Sequence, residues 1–215
     1  RLHGEQIHFD TVTVTGTENI MMAAVLAKGE TVLENAAREP EVVDLANILV
    51  KMGANISGAG TETITISGVE TLQPFQHTII PDRIETGTYM VAAAITGGNV
   101  LLQNVDSIMV EALTRKLTEI GTKITEEPEG LRVIGTKLIK PADITTAPYP
   151  GFATDFQAQF LAYMCLTKGS CILTENIFEN RFMHVGELVR MGADIKLDGP
   201  HAIVRGIDQF MAAPV

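Results

Sequence analysis

Asp155 is the first residue of this sequence whose type and place could do chemistry. It follows Thr154 and opens the apolar helical run Phe156-Gln157-Ala158-Gln159-Phe160-Leu161. A carboxylate there has two uses. It can cap the helix, accepting a backbone N–H and complementing the helix dipole. It can also face a cleft and take a proton from a hydroxyl that comes within about 2.6–3.2 Å. The residues alone favour the cap. Arg38, Arg83 and Arg181 stand on expected loops or just before expected helices. Single arginines are more often solvated or ion-paired than ligand-bound. Three on the loops of an acidic chain would nevertheless suit phosphate and carboxylate groups, which a guanidinium binds through two parallel hydrogen bonds. Glu39 and Glu41 read as first-turn helix charges and partners for Arg38. Thr11-Val12-Thr13-Val14 has the β-branched composition of an edge strand, and Ile177 on its own reads as core. His184 begins a helix, where a surface or capping place is commoner than a catalytic one. Cys165 and Cys171 lie in apolar stretches and read as buried, inert thiols; two cysteines make no metal signature.

The elements that must position these residues come from an internal repeat. ENIMMAAVLAKGETVLEN, TGTYMVAAAITGGNVLLQN and TDFQAQFLAYMCLTKGSCILTEN each contain an apolar helical segment, a glycine and a short apolar strand ending near Asn. The glycines Gly29, Gly98 and Gly169 are 69 and 71 residues apart. A second glycine (Gly53, Gly121, Gly192) follows 24, 23 and 23 residues later, and a third (Gly68, Gly135, Gly206) after a further 15, 14 and 14. Each unit of about 70 residues reads as βαβαββ. First strands are expected at 8–14, 78–80 and 143–145, and first helices at 18–28, 88–96 and 155–168. Second helices are expected at 41–52, 107–120 and 182–191. Glycines that end helices suit a left-handed cap. The second helices are one-sided: Val42, Leu45, Ala46, Leu49 and Met52 share a face, while Asp44 lies mostly elsewhere, as on a helix covering a sheet. First helices are apolar nearly all round, so they should be buried in protein and meet at a centre. The class is α/β without a dinucleotide turn, because G-x-G-x-x-G is missing.

Composition sets outer bounds. With 215 residues, 46% of them hydrophobic and 20% charged, the chain has room for one large or two small globular domains. A formal charge of −10 argues against nucleic acid but not against a small phosphorylated ligand held by local arginines. Apolar runs such as residues 160–166 are too short to span a bilayer. Residues 1–20 lack a signal-peptide pattern, so the cytoplasm is the expected location.

Four segments, ENAAREPEVVD (34–44), PDRIETGTYMVAAA (81–94), TDFQAQF (154–160) and ENRFMHVGELVRMGA (179–193), make the whole chain resemble the enolpyruvyl transferases, in particular their sugar-nucleotide branch. The resemblance implies two domains, each an inside-out α/β barrel of three such units around buried helices. On it, residues 1–79 would be the last unit of one domain and 80–215 two units of the second, left incomplete. It implies transfer of the enolpyruvyl group from phosphoenolpyruvate to the 3-hydroxyl of UDP-N-acetylglucosamine, the first committed step of peptidoglycan synthesis. The route would be addition to a tetrahedral ketal followed by elimination of phosphate, with no metal or organic cofactor. Asp155 would contact the sugar 3-hydroxyl as candidate general base. Thr11, Val12, Thr13 and Val14 would hold the uridine and diphosphate, Ile177 would line the sugar-nucleotide site, and Arg181, with Arg38 and Arg83, would meet anionic groups. The family's catalytic-loop cysteine, N-terminal Lys-Asn pair and Asp-Leu-Arg segment have no counterpart here. The expected partners are therefore the two substrates and the remainder of the same polypeptide, and the 215 residues alone are expected to be inactive. Transfer to shikimate phosphate, or a purely non-catalytic fragment, are the alternatives.

Overall fold

All of residues 1–215 are described by the computed structural model, in which the chain divides into an N-terminal unit, Arg1–Ile80, and a C-terminal unit, Pro81–Val215. The N-terminal unit runs β1 (Gln6–His8), α1 (Val14–Ala24), β2 (Glu30–Glu34), α2 (Pro40–Lys51), β3 (Asn55–Ser57) and β4 (Thr63–Ser67). Its sheet has the order β1-β2-β4-β3. β1 and β2 are parallel, as the α1 crossover permits, and the other pairs are antiparallel. Val42, Ala46 and Leu49 of α2 join Leu33, Ile64 and Ile66 of the sheet in one core.

The C-terminal unit begins with α3 (Arg83–Ile95), β5 (Asn99–Gln103), a 3-10 turn (Ser107–Val110) leading into α4 (Glu111–Glu119), β6 (Lys123–Glu127) and β7 (Gly130–Ile134). It continues with β8 (Ile144–Thr145), a 3-10 turn (Thr154–Phe156), α5 (Gln157–Met164), β9 (Ser170–Thr174), α6 (Val185–Arg190), β10 (Asp194–Asp198) and β11 (His201–Arg205). Two sheets result, β5-β7-β6 and β10-β11-β9-β8. The helices α3 and α5 pack together between them. They approach so closely at Gly87 that a Cβ there would lie 2.3 Å from the Phe156 ring, and Gln159 Nε2 donates to Thr88 Oγ1 at 3.0 Å. The chain is thus mixed α/β with three sheets built on one repeated unit.

The repeat is visible in backbone hydrogen bonds. Gly68 N donates to Gly29 O, Gly135 N to Gly98 O and Gly206 N to Gly169 O, each at 2.9 Å, so the first and third landmarks join in every unit. The second landmark ends the second helix. Gly53, Gly121 and Gly192 have φ of 98°, 109° and 92°, and each helix closes with a pair of bonds. One runs from the glycine N–H to Val50 O, Thr118 O or Val189 O; the other runs from the next residue's N–H to Leu49 O, Leu117 O or Leu188 O.

Several expectations are corrected. The strand expected over 8–14 stops at His8, and Val14 already begins a helix, because Thr13 caps it. Residues 78–80 form no strand, so the middle sheet has three strands. His77 instead ties that segment to α2: Lys51 Nζ donates to His77 Nδ1 at 2.9 Å, leaving Nε2–H to donate to Asp44 Oδ1 at 2.8 Å. Asp44 is consequently buried rather than on a solvated face. After α3 the left-handed residue is Gly97, with φ 66°, not Gly98. Gly29 is left-handed too, but it lies beyond the end of α1, directly before β2. α6 is shorter than the expected 182–191. The expectation of a fully buried first helix holds best for α5. α1 turns Met22, and Leu26 just beyond it, to the surface, and α3 turns out Tyr89.

Candidate active site

The chain enters α5 through the 3-10 turn Thr154–Phe156, and Asp155 is the middle residue of that turn. It does not cap. Neither the turn nor α5 has a side-chain cap bond, because the Asp155 carboxylate is engaged elsewhere: Arg181 Nη2 donates to its Oδ1 at 2.6 Å. The pair is partly open, with side chains 35% (Arg181) and 43% (Asp155) exposed. Arg181 Nη1 also donates to Thr154 Oγ1 at 3.2 Å, and the guanidinium carbon sits 5.1 Å from the centre of the Phe178 ring, within reach of a cation–π attraction.

Behind this pair lies Glu175, only 5% exposed. Its Oε2 accepts from Thr154 Oγ1 at 2.7 Å. Its Oε1 accepts from Thr146 Oγ1 at 2.8 Å and from the N–H groups of Ile177 and Phe178 at 2.8 and 3.2 Å. The loop so held borders an open groove of ≈ 860 Å³, lined among others by Ile177, Phe178, Arg181, Met183 and Leu197. His184, just beyond, has its ring near that of Phe182. Burial first, and the Arg181 charge second, push its pKa below the ordinary 6.5.

Asp155, Arg181 and Ile177 are therefore brought together. Arg83 is not joined to them by these bonds. It is the first residue of α3, behind an Asp82 cap that accepts from Ile84 N and Glu85 N, and its guanidinium carbon lies 5.8 Å from the Tyr149 ring centre. The remaining candidates form a set within the N-terminal unit. Thr13 Oγ1 accepts from Gly16 N at 3.2 Å as cap of α1, which overturns the edge-strand reading of Thr11–Val14. Thr17 Oγ1 donates to Thr13 O at 2.7 Å and accepts from Ala37 N at 3.1 Å, linking the helix start to the loop that carries Arg38. Arg38 pairs with Glu62 at 3.6 Å rather than with Glu39 or Glu41. Glu39 is instead buried, with Oε2 lacking a partner. Nearby, burial and then the charges of Glu41 and Glu39 raise the pKa of Glu18. Cys165 and Cys171 are both buried, and burial pushes their thiols up to about 12 and about 11.

Sequence reading missed Glu175, Thr154 and Thr146. A signal existed in the repeat. β2 and β5 are each followed directly by an Asn of positive φ, Asn35 at 55° and Asn104 at 54°. β9 is followed at the same place by Glu175, with Asn176 displaced by one residue. "Ending near Asn" concealed that one-residue difference. No helix is long and apolar enough to cross a membrane, and no group of three or more His, Cys, Asp or Glu side chains is placed to hold a metal ion.

The family described as EPSP synthase (3-phosphoshikimate 1-carboxyvinyltransferase) matches residues 1–215. Over all 215 residues the chain is 60% identical to UDP-N-acetylglucosamine 1-carboxyvinyltransferase 1 of Caldanaerobacter subterraneus subsp. tengcongensis, covering 52% of that protein. It is 56% identical to UDP-N-acetylglucosamine 1-carboxyvinyltransferase of Geotalea daltonii, again covering 52%. The chain thus spans about half the length of the curated relatives it matches. Among solved structures, the enolpyruvyl transferase NikO from Streptomyces tendae superposes with a TM-score of 0.84 at 22% identity, over 96% of this chain and 52% of NikO, which shows the shared fold. From residue 1 to residue 215, this chain belongs to the EPSP synthase family, the enolpyruvyl (carboxyvinyl) transferases.

Proposed function

We propose that this chain is part of an enzyme that transfers the enolpyruvyl group of phosphoenolpyruvate to the 3-hydroxyl of UDP-N-acetylglucosamine. The observation that carries the reading is the Asp155–Arg181 pair at the start of α5, beside the groove lined by Ile177. The 55–60% identity to sugar-nucleotide carboxyvinyltransferases supports the choice of acceptor. Asp155 uses one carboxylate oxygen on Arg181, and the other is left to take the 3-hydroxyl proton as the hydroxyl oxygen adds to the phosphate-bearing carbon of phosphoenolpyruvate and the neighbouring methylene gains a proton. Arg181 meets negative charge, since its planar fork suits phosphate or carboxylate. Thr11–Val14 contribute to sugar-nucleotide binding, and Arg38 and Arg83 are secondary anion contacts. In the tetrahedral ketal the new C–O bond is complete. Elimination then removes one proton from the methyl group, breaks the bond to phosphate and restores the double bond.

In this reading α3 and α5 are two of the buried helices of an inside-out barrel. The proton for the enolpyruvyl methylene comes from outside these 215 residues. Cys165 and Cys171 are buried, their thiols too weakly acidic for the task. A phosphate-release assay on the intact protein tests the reading. Release is expected with phosphoenolpyruvate and UDP-N-acetylglucosamine, and none from the 215-residue chain alone. The name of the matching family favours a second acceptor, 3-phosphoshikimate. Release with that acceptor in place of the sugar nucleotide would overturn the first reading.

A further inference from the structure

We propose that Glu175 is a positioning residue of this site, acting through the Thr154 hydroxyl to set Arg181 against Asp155. The inference rests on the reading that Asp155 and Arg181 serve enolpyruvyl transfer. Its geometry depends on a count of protons. A threonine hydroxyl has one proton and two lone pairs, and an ionised carboxylate can only accept. Glu175 takes the Thr154 proton at 2.7 Å and the Thr146 proton at 2.8 Å. The lone pairs of both hydroxyls are thereby turned outward. Thr146 Oγ1 accepts from Asn176 N at 2.9 Å, and Thr154 Oγ1 accepts from Arg181 Nη1 at 3.2 Å. The second arm of the same guanidinium reaches Asp155 at 2.6 Å. Glu175 also holds the N–H groups of Ile177 and Phe178, so one carboxylate fixes the groove-lining loop and the direction of Arg181 together.

Two features separate this from ordinary packing. A buried carboxylate is costly unless fully hydrogen-bonded, and here four donors converge on it. The other two repeat units have Asn35 and Asn104 at the corresponding place, and only the unit carrying Asp155 and Arg181 has a glutamate. A glutamine at 175 would present an N–H₂ to one of the four donors. At Thr154 this would turn the hydroxyl proton away from Glu175's place, toward the Arg181 donor.

The test uses the intact protein with E175Q, T154V, T154S and R181K. Hydrogen bonds to charged groups are strong enough that T154V and E175Q should lower kcat roughly tenfold or more, with KM for the sugar nucleotide moving less than about threefold. T154S, which keeps the hydroxyl, should restore most of kcat. E175Q combined with R181K should be little worse than R181K alone, although Glu175 and Arg181 share no hydrogen bond; additive losses would mean that Glu175 does not act through Arg181. Independently of turnover, the guanidinium ¹⁵N–¹H signals of Arg181 should shift in E175Q and T154V and return in T154S. Unchanged signals overturn the proposal, whatever the activity, and T154V and T154S keep it testable if E175Q does not fold. Shifted signals in a protein that does not turn over the substrate pair would sink the functional reading while leaving Glu175 in its positioning role.

Discussion

At Asp155 one carboxylate oxygen is taken by Arg181 at 2.6 Å, and the other is not used in that pair. In the intact protein D155N keeps the shape but removes the negative charge and the proposed base. The expected result is a fall in kcat of about 10²- to 10⁴-fold with a modest change in sugar-nucleotide KM; near wild-type turnover would reduce Asp155 to an ion-pair partner. His184 reports on the same arginine. Burial is the larger cause of its lowered pKa and Arg181 the smaller. R181Q should therefore raise the His184 pKa, yet leave it below 6.5. A ring-proton NMR titration checks this, and a wild-type value at or above 6.5 would contradict it. The sign for stability follows. Below about 6.5 the unfolded chain takes up a proton that the folded imidazole still refuses, so stability falls as pH drops from there toward the folded pKa. A variant without the imidazole, H184Q, should lose that part of the pH dependence in denaturant titrations.

The joints between elements give an independent set of outcomes. A Cβ at Gly206 would lie 1.7 Å from Thr167 O, a backbone atom of the tight link between α5 and β9. G206A should cost stability toward the upper end of the about 1–3 kcal/mol typical of overpacking. Gly186, inside α6, has nothing within 4 Å of such a Cβ. There G186A should stabilise by about 0.4–1 kcal/mol, because the unfolded chain loses freedom and the helix gains a better former. Thermal melts of the two variants should move in opposite directions. These glycines also show how far the sequence was legible. Gly53, Gly121 and Gly192 recur because each second helix here ends in a left-handed residue, and the spacing of the repeat marks those positions. The repeat marked Gly29 and Gly68 and their counterparts as landmarks, but the long-range bond that joins them appears only in the fold. What the pattern hid was local competition. Thr11-Val12-Thr13-Val14 has strand composition, yet the Thr13 cap and the Thr17 bonds to residues 13 and 37 turn it into a helix start. Asp155 looks like a cap from its position, but Arg181, 26 residues away, claims its carboxylate. The first choice is settled by a local cap backed by the Ala37 contact and the second by a tertiary partner, and neither propensity nor periodicity encodes either.

Each unit of the chain has its own buried core. In the N-terminal unit Met21, Leu33, Val42, Ile64 and Ile66 form one cluster; in the C-terminal unit Met90, Leu113, Phe160, Tyr163 and Leu173 belong to another. No residue is shared between them, so stability can be lost from one core without cavities in the other. Both cysteines, Cys165 and Cys171, lie in the C-terminal cluster and are fully or nearly fully buried. Burial also raises both thiols far above neutral pH, so the closed state offers almost no thiolate to a labelling reagent. Thiol labelling is therefore a private reporter of C-terminal opening. Leu173→Ala, at a position with no exposed surface beside both cysteine elements, should destabilise by about 2–5 kcal/mol. If reclosing outpaces modification, the labelling rate should rise in proportion to the open population, roughly tenfold for each 1.4 kcal/mol lost. Ile64→Ala removes as much from the other core and should lower an unfolding midpoint while leaving the labelling rate within about twofold of wild type, because it adds nothing to C-terminal opening. Equal acceleration by the two substitutions would mean that the cores open as one cooperative block, and the division at Ile80 and Pro81 would then describe shape without describing stability.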